Sequence, residues 1–481
     1  MTDPLALLPL AAASRGGSID DIPAAALVAA GLTLLQRSAP LVRALAGRRA
    51  GILLPPSPAY LLALAASEGR GAVLMNPLAA PRELAYQVSD ADVGAVLTIS
   101  ALAGRLPPDL PRVLLDDAPR SATVIAGGST RTVDLGSHFA FELEGDAAAP
   151  GSSEEAAIVY TSAMRGRPLG AILTHRGLLA SARGTIDVAG ITADDRVLAA
   201  LPYSHLFGLV ATAISPLLAG ARVTTVQRFR ASSAIDLLEG GITMFVGVPA
   251  MFTALLSAIE RRGTPFRSGA LRLCISGGAP LDPAVQDRWL ETTGIELRQG
   301  YGLTEASPVA LFNRFDAPNA RGTLGTPFPG VEVSIRDVAT FAPLADGETG
   351  EICVRGAIVF AGYLHDRDAA PPLGLEVRDG WLRTGDLGLR WPDGTVAFRG
   401  LVKAMFTRNG FNIYPREIEA AVCELPGVTS AAVSAVRDPA HENAIALAVT
   451  GSVTEQQVKA WCEERLSAYK QPATIEVAPA R

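Results

Sequence analysis

The stretch Ala156-Ala157-Ile158-Val159-Tyr160-Thr161-Ser162-Ala163-Met164-Arg165-Gly166-Arg167-Pro168-Leu169-Gly170 is followed closely by Thr174-His175-Arg176-Gly177. An apolar run of strand length passes into two hydroxyl residues and a loop with two glycines, and Thr174 then leads into a helix. Hydroxyls and exposed backbone N–H groups after a strand are how a chain wraps a polyphosphate. No Gly-Lys-Ser/Thr follows, so this is not the P-loop pattern, and taken alone a plain surface turn is the simpler reading.

Working outward, short apolar runs at 50–54, 72–75 and 94–99 alternate with Ala-rich segments of helical length. That is the pattern of strands joined by crossover helices, and it predicts α/β layers with largely parallel sheets. Beyond Arg321 the texture changes to closely spaced strand candidates at 331–335, 351–355 and 395–399, separated by Gly/Pro/Asp turns, which predicts a small β region. After Gly400 a helix opens at Pro415, β-like stretches follow at 431–436 and 444–449, and a helix covers 454–466. The expected fold class is therefore α/β, with a large N-terminal domain over 1–398 and a small, separate α+β domain over 399–481.

The chain has 481 residues, enough for several domains and a large core, and a formal net charge of −6. No dense Lys/Arg block suited to a phosphodiester backbone occurs, so nucleic acid is not an expected partner. Cys274, Cys353, Cys423 and Cys462 are far apart and make no Cys-x-x-Cys pair, which indicates neither a zinc site nor a disulfide framework. A cytoplasmic location is expected, with no signal peptide and no transmembrane segment.

Five further motifs follow in order: Leu201-Pro202-Tyr203-Ser204-His205-Leu206-Phe207-Gly208-Leu209, Ser276-Gly277-Gly278-Ala279-Pro280-Leu281, Gln299-Gly300-Tyr301-Gly302-Leu303-Thr304-Glu305, Arg383-Thr384-Gly385-Asp386, and Asn409-Gly410-Phe411-Asn412-Ile413-Tyr414-Pro415-Arg416-Glu417. Together with the opening loop, they resemble the adenylate-forming superfamily of acyl-CoA synthetases, peptide-synthetase adenylation domains and luciferases. The resemblance covers about residues 19–472. It implies an AMP-dependent acid–thiol ligase using ATP, Mg²⁺ and CoA or a carrier-protein phosphopantetheine, acting on a small-molecule carboxylic acid with CoA or an acyl carrier protein as partner.

Each motif also has a physical reading. Tyr301 offers a flat aromatic face for a purine, and Gly300 and Gly302 let the backbone approach closely. Glu305 is a carboxylate suited to Mg²⁺ with phosphate oxygens, and Thr304 adds a hydroxyl near the α-phosphate. Asp386 can accept from both ribose hydroxyls. The resemblance adds Thr161, Ser162, Arg165, Gly166, Gly278, Ala279, Pro280 and Arg399 to the nucleotide site, and it sets His205, Phe207, Ser276, Gly277 and Leu303, with Gly278, Gly300 and Gly302, around the carboxylate substrate. No acidic residue lies within His205–Leu209, where amino-acid-activating relatives hold an ammonium, so an amine-free fatty or aryl acid is expected. The small C-terminal domain of the family swings between two poses about a hinge matching Lys403. Gly410 and Phe411 match the loop that approaches the thiol acceptor in the second pose.

Three departures bear on activity. The family loop has Gly, Thr, Thr and Lys where this chain has Ala163, Met164, Arg165 and Leu169, and Arg165 and Arg167 replace an ammonium with guanidinium forks of different geometry. Leu401 stands where relatives have a ribose-contacting Arg, with Arg399 expected on the same strand face. The chain reaches Arg481 before the family's Gly-Lys element, so the last domain is expected to be truncated; Lys470 matches an upstream position. Three readings stay open: an active ligase, an adenylation-deficient transferase that starts from a preformed acyl-adenylate or thioester, and a non-catalytic AMP- or acyl-binding protein.

Overall fold

The computed structural model describes residues 15–67, 71–136, 155–161, 168–365, 375–402, 406–413, 415–438 and 442–479. Its architecture is mixed α/β: a large N-terminal part built on two wide sheets, a smaller β-sheet, and a small C-terminal α/β part. The first wide sheet has nine strands, with a parallel centre formed by Leu297–Tyr301, Leu273–Ser276, Met244–Gly247, Arg196–Ala199 and Arg222–Thr225. The second has eight strands, in which Glu155–Thr161, Ala72–Leu74, Arg49–Leu53, Val93–Thr98 and Arg112–Leu114 run parallel.

Burial on both faces explains the near-continuous apolar runs of these strands. Ile52, Val197 and Val246 point into the large core between the layers, while their neighbours Leu53, Leu198 and Phe245 point into satellite cores on the opposite faces. Among the described residues no single helix is long and apolar enough to cross a membrane.

The opening stretch folds differently from its expected strand–loop–helix course. Leu169–Thr174 is itself a strand, returning antiparallel to Glu155–Thr161 with Leu169 opposite Thr161. Helix His175–Ala189 begins only afterwards, with Thr174 Oγ1 accepting from Gly177 N at 3.0 Å. The strand Leu169–Thr174 therefore comes before this helix in the chain. Ser162, Arg165 and Gly166 of the loop, and Lys403 at the expected hinge position, lie outside the described residues.

The expected β region forms a five-stranded sheet from Val331–Arg336, Gly350–Gly356, Val377–Arg378, Trp381–Arg390 and Val396–Leu401. Beyond it come the strand pair Phe406–Arg408 and Phe411–Ile413, and a three-stranded sheet of Val428–Asp438, Glu442–Gly451 and Thr474–Ala478. Helices Pro415–Cys423 and Glu455–Arg465 pack on that sheet around Ile418, Val422, Leu447 and Val458. Thr454 and Gln457 form a reciprocal capping box at the start of the second helix.

Candidate active site

A cavity of about 640 Å³ opens where the wide sheets, the five-stranded sheet and the C-terminal part meet. Its centre is the C-terminal end of Leu297–Tyr301 and the 3₁₀ turn Thr304–Ala306 that follows. Glu305 in that turn is buried and held through both its backbone and its side chain. Its backbone carbonyl accepts from Phe360 N at 2.9 Å, and its Oε1 accepts from Tyr363 Oη at 2.6 Å. Tyr363 reaches this position because segment 361–364 pairs with Leu169–Thr174, through Leu364 N to Gly170 O and Ile172 N to Gly362 O. Burial pushes the Glu305 carboxyl above its usual range, while hydrogen bonds from Tyr363 and Thr161 pull the other way.

Tyr301 ends its strand with its Oη donating to Asp386 Oδ2 at 2.6 Å. Asp386 N donates to Thr384 Oγ1 at 3.1 Å, and Thr384 Oγ1 donates to Ile352 O at 2.7 Å, which locks the Thr-Gly-Asp turn onto the sheet. Burial raises Asp386 to about 6; the hydrogen bond from Tyr301 opposes this, and the nearby Glu351 and Glu305 charges add to it. Thr161, Gly278, Ala279, Pro280, Gly300, Gly302 and Thr304 line the same cavity.

His205 caps the short helix Leu206–Leu209, with its Nδ1 accepting from Phe207 N at 3.3 Å. This leaves the proton of the neutral ring on Nε2, and burial lowers the pKa of the imidazole. His205, Phe207, Gly277 and Leu303 all line the cavity, and the Phe207 ring fills the space over Gly277, where a Cβ would lie 2.9 Å from Phe207 Cζ. Ser276 does not reach the cavity: it is fully buried at the end of its strand.

Arg399 also departs from its expected position. In the pairing of Val396–Leu401 with Trp381–Arg390, Leu387 faces Gly400 and Gly388 faces Phe398, so Arg399 is the extra residue of a bulge. Phe398, Gly400 and Leu401 line the cavity, whereas Arg399 is exposed with its guanidinium 6.0 Å from the Trp391 ring centroid. The bulge breaks the alternation that would have put Arg399 and Leu401 on one face.

Gly410 and Phe411 enter the cavity from the C-terminal side. Gly410 has φ +77°, and a Cβ there would lie 2.5 Å from Val248 Cγ1, so only glycine fits this close approach. Its carbonyl oxygen lies near Gly278, itself at φ +77°. Sequence reading missed Tyr160, Tyr363, Glu83 and Gln87; the last two stand one helical turn apart on Pro81–Asp90 and line the far end of the cavity. Their only sequence signal is that amphipathic spacing, which every surface helix shares.

Among the described residues no cluster of three or more His, Cys, Asp or Glu is arranged as a metal cage. A single buried carboxylate beside hydroxyls, as Glu305 is, nevertheless suits Mg²⁺, which takes one or two protein carboxylates and completes its shell with phosphate oxygens and water.

A family model described as AMP-binding enzyme matches residues 40–364, and one described as AMP-binding enzyme C-terminal domain matches residues 417–480. The chain is 33% identical over 412 residues to a sulfoacetate–CoA ligase of Cupriavidus necator, covering 83% of this chain and 77% of that protein. It is 28% identical over 468 residues to a long-chain-fatty-acid–CoA ligase of Escherichia coli O157:H7, covering 89% and 82% respectively. The fold superposes on a malonyl-CoA ligase solved with methylmalonyl-CoA and AMP bound, with TM-score 0.77, 28% identity, and 98% of this chain and 97% of that one covered.

Proposed function

The chain belongs to the AMP-binding enzyme family, among acyl-CoA synthetase-like ligases, and from that membership we propose that it activates a carboxylic acid as an acyl-adenylate and passes the acyl group to a thiol. The observation that carries this reading is that Tyr301, Asp386 and Glu305 open onto one cavity with Gly410 and Phe411. Adenosine and acyl-acceptor ends of such a reaction have to share one space.

In the first half, a carboxylate oxygen of the acid bonds to the α-phosphorus of ATP, and pyrophosphate leaves. Tyr301 offers the purine a ring face, Asp386 accepts from the ribose, and Thr304 and Thr161 donate toward phosphate oxygens. Mg²⁺, held by Glu305, would supply charge neutralisation for the phosphates. In the second half, the thiol sulfur bonds to the acyl carbon, the bond from that carbon to the phosphate oxygen breaks, AMP leaves, and the thiol proton passes to solvent. The neutral His205 ring stands beside Phe207 and Gly277, where it would donate from Nε2 to the acid without repelling a cation or trapping a proton. CoA is the expected thiol, with a carrier-protein phosphopantetheine as the alternative.

A second reading is favoured by one residue. Leu169, where the family resemblance implies a lysine, is buried in the main core, which supports an enzyme that performs only the thiol-transfer half from a preformed acyl-adenylate. ATP–pyrophosphate exchange with a panel of amine-free acids tests the full reaction. Absence of exchange, together with turnover of synthetic acyl-adenylate plus CoA, would select the transfer-only enzyme. Failure of both, with AMP binding retained, would leave a binding protein.

A further inference from the structure

Lys470 joins two parts of the chain that approach the cavity from opposite sides. Its Nζ lies 2.7 Å from Glu83 Oε1 on helix Pro81–Asp90 and 2.7 Å from Glu417 Oε1 on helix Pro415–Cys423. Ser467 Oγ also donates to Glu83 Oε1, at 3.1 Å. The three charged side chains are 5%, 11% and 7% exposed, in the order Lys470, Glu83, Glu417. Burial alone would lower the Lys470 ammonium, but Tyr469, Glu417 and Glu83 outweigh it and hold the group charged. A buried cluster of this kind is sensitive to geometry, because removing one partner leaves the others charged and poorly solvated.

The neighbouring contacts lead from this cluster to the acceptor loop. Tyr469 stacks on Phe411 with ring centroids 4.3 Å apart. Arg408 Nη1 donates to Tyr469 O at 3.2 Å and to Gln471 O at 2.9 Å, which ties the strand pair carrying Gly410 to segment 469–471. A second polar bridge nearby, from Arg82 to Glu424 just beyond the end of helix Pro415–Cys423, is about half exposed at each end and contributes little.

Resting on the thiol-transfer reading above, we propose that Glu83 is a positioning residue for that half-reaction. It touches none of the reacting atoms. Through Lys470 and the Tyr469–Phe411 stack it fixes the arrangement in which Gly410 lies against Val248 and Gly278. The carboxylate rather than its mere bulk is required, because its charge, with that of Glu417, faces the buried ammonium at hydrogen-bond distance.

The experiment compares Glu83→Ala, Glu83→Gln and Glu83→Asp with the unsubstituted chain in two assays: single-turnover transfer from synthetic acyl-adenylate to CoA, and ATP–pyrophosphate exchange. For Ala and Gln, kcat of transfer falls on the order of 10²-fold more than exchange does, with KM for acyl-adenylate little changed, as expected for misplacement of about 1 Å. Asp recovers part of the loss. A second readout follows the arrangement itself: spin labels on exposed Cys423 and on Leu78→Cys, also exposed, give one narrow distance in the parent and a broad distribution in Glu83→Gln. The proposal is overturned if transfer stays within twofold of the parent, or if transfer and exchange fall together while the distance stays narrow. An unsubstituted chain that transfers to no thiol overturns the functional reading and this role with it, whereas normal transfer by both parent and Glu83→Gln overturns the positioning role alone.

Discussion

Tyr301 Oη and Asp386 Oδ2 are 2.6 Å apart although 85 residues separate them in sequence. This contact joins the end of a central strand of the nine-stranded sheet to a turn of the five-stranded sheet, and it commits one lone pair of the carboxylate that would receive the ribose. Burial raises Asp386 to about 6. The folded chain thus keeps a proton there that the unfolded chain releases, so this group's contribution to stability is fully present at low pH and declines as pH rises through the usual carboxylate range to about 6. Ligand binding has the opposite sign, because the ionised acceptor prevails only above that value. AMP affinity measured by calorimetry is expected to rise between about pH 5 and 7 and then level off. Asp386→Asn removes the inflection and weakens AMP by about 10- to 100-fold.

Tyr363→Phe removes the hydroxyl that donates to buried Glu305. That hydrogen bond favours the ionised carboxylate against burial, so its loss raises the Glu305 pKa further. The acidic limb of the pyrophosphate-exchange profile moves to higher pH, and exchange at neutral pH falls by about tenfold. A profile that keeps its position would show that Glu305 ionisation does not limit the reaction.

Leu169→Lys introduces the lysine implied by the family resemblance at a position whose side chain is buried in the apolar core. We expect destabilisation by about 2 kcal/mol in denaturant unfolding and no gain in exchange. Higher exchange at unchanged stability would show that the hairpin turns the new side chain toward the cavity.

Phe207→Ala empties the space over Gly277. Relative kcat/KM is expected to shift toward bulkier acids by at least about 10-fold, the scale set by adding or removing a small apolar group in a pocket. The measurement is the exchange rate across acids of graded length and ring size.

Lys470→Met leaves Glu83 and Glu417 buried without their shared cation. Loss of one partner from such a cluster costs about 3–5 kcal/mol. Denaturant unfolding of the variant beside the parent measures the loss.

The strand runs were legible in the sequence because both faces of the parallel strands are buried, which leaves near-continuous apolar runs after Arg49 in Arg49–Leu53 and before Thr98 in Val93–Thr98. The helix starting at Pro415 and the capped helix after Thr454 were legible for local reasons of the same kind. The return strand Leu169–Thr174 was not, because its partners are Glu155–Thr161 and the distant segment 361–364, and pairing rather than local preference makes it a strand.

The site divides along the same line. Gly278 and Gly410 advertise themselves because positive φ and close approach demand glycine. Tyr363 stands 58 residues from Glu305, and Glu83 stands 387 from Lys470; nothing local in either sequence marks the partnership. Arg399 shows the remaining kind of failure, since a one-residue bulge reverses the parity on which any reading of strand faces depends.

The 387-residue span between Glu83 and Lys470 also sets a clock on biosynthesis. At ribosomal rates of about 5–20 residues per second, Glu83 waits roughly 20–80 s before its ammonium partner is made. In the finished chain Oε2 of the same carboxylate accepts from Ala80 N at the start of its helix, a contact that needs no residue beyond Glu83 itself. Until Lys470 is made, the chain lacks the cation that joins Glu83 to Glu417.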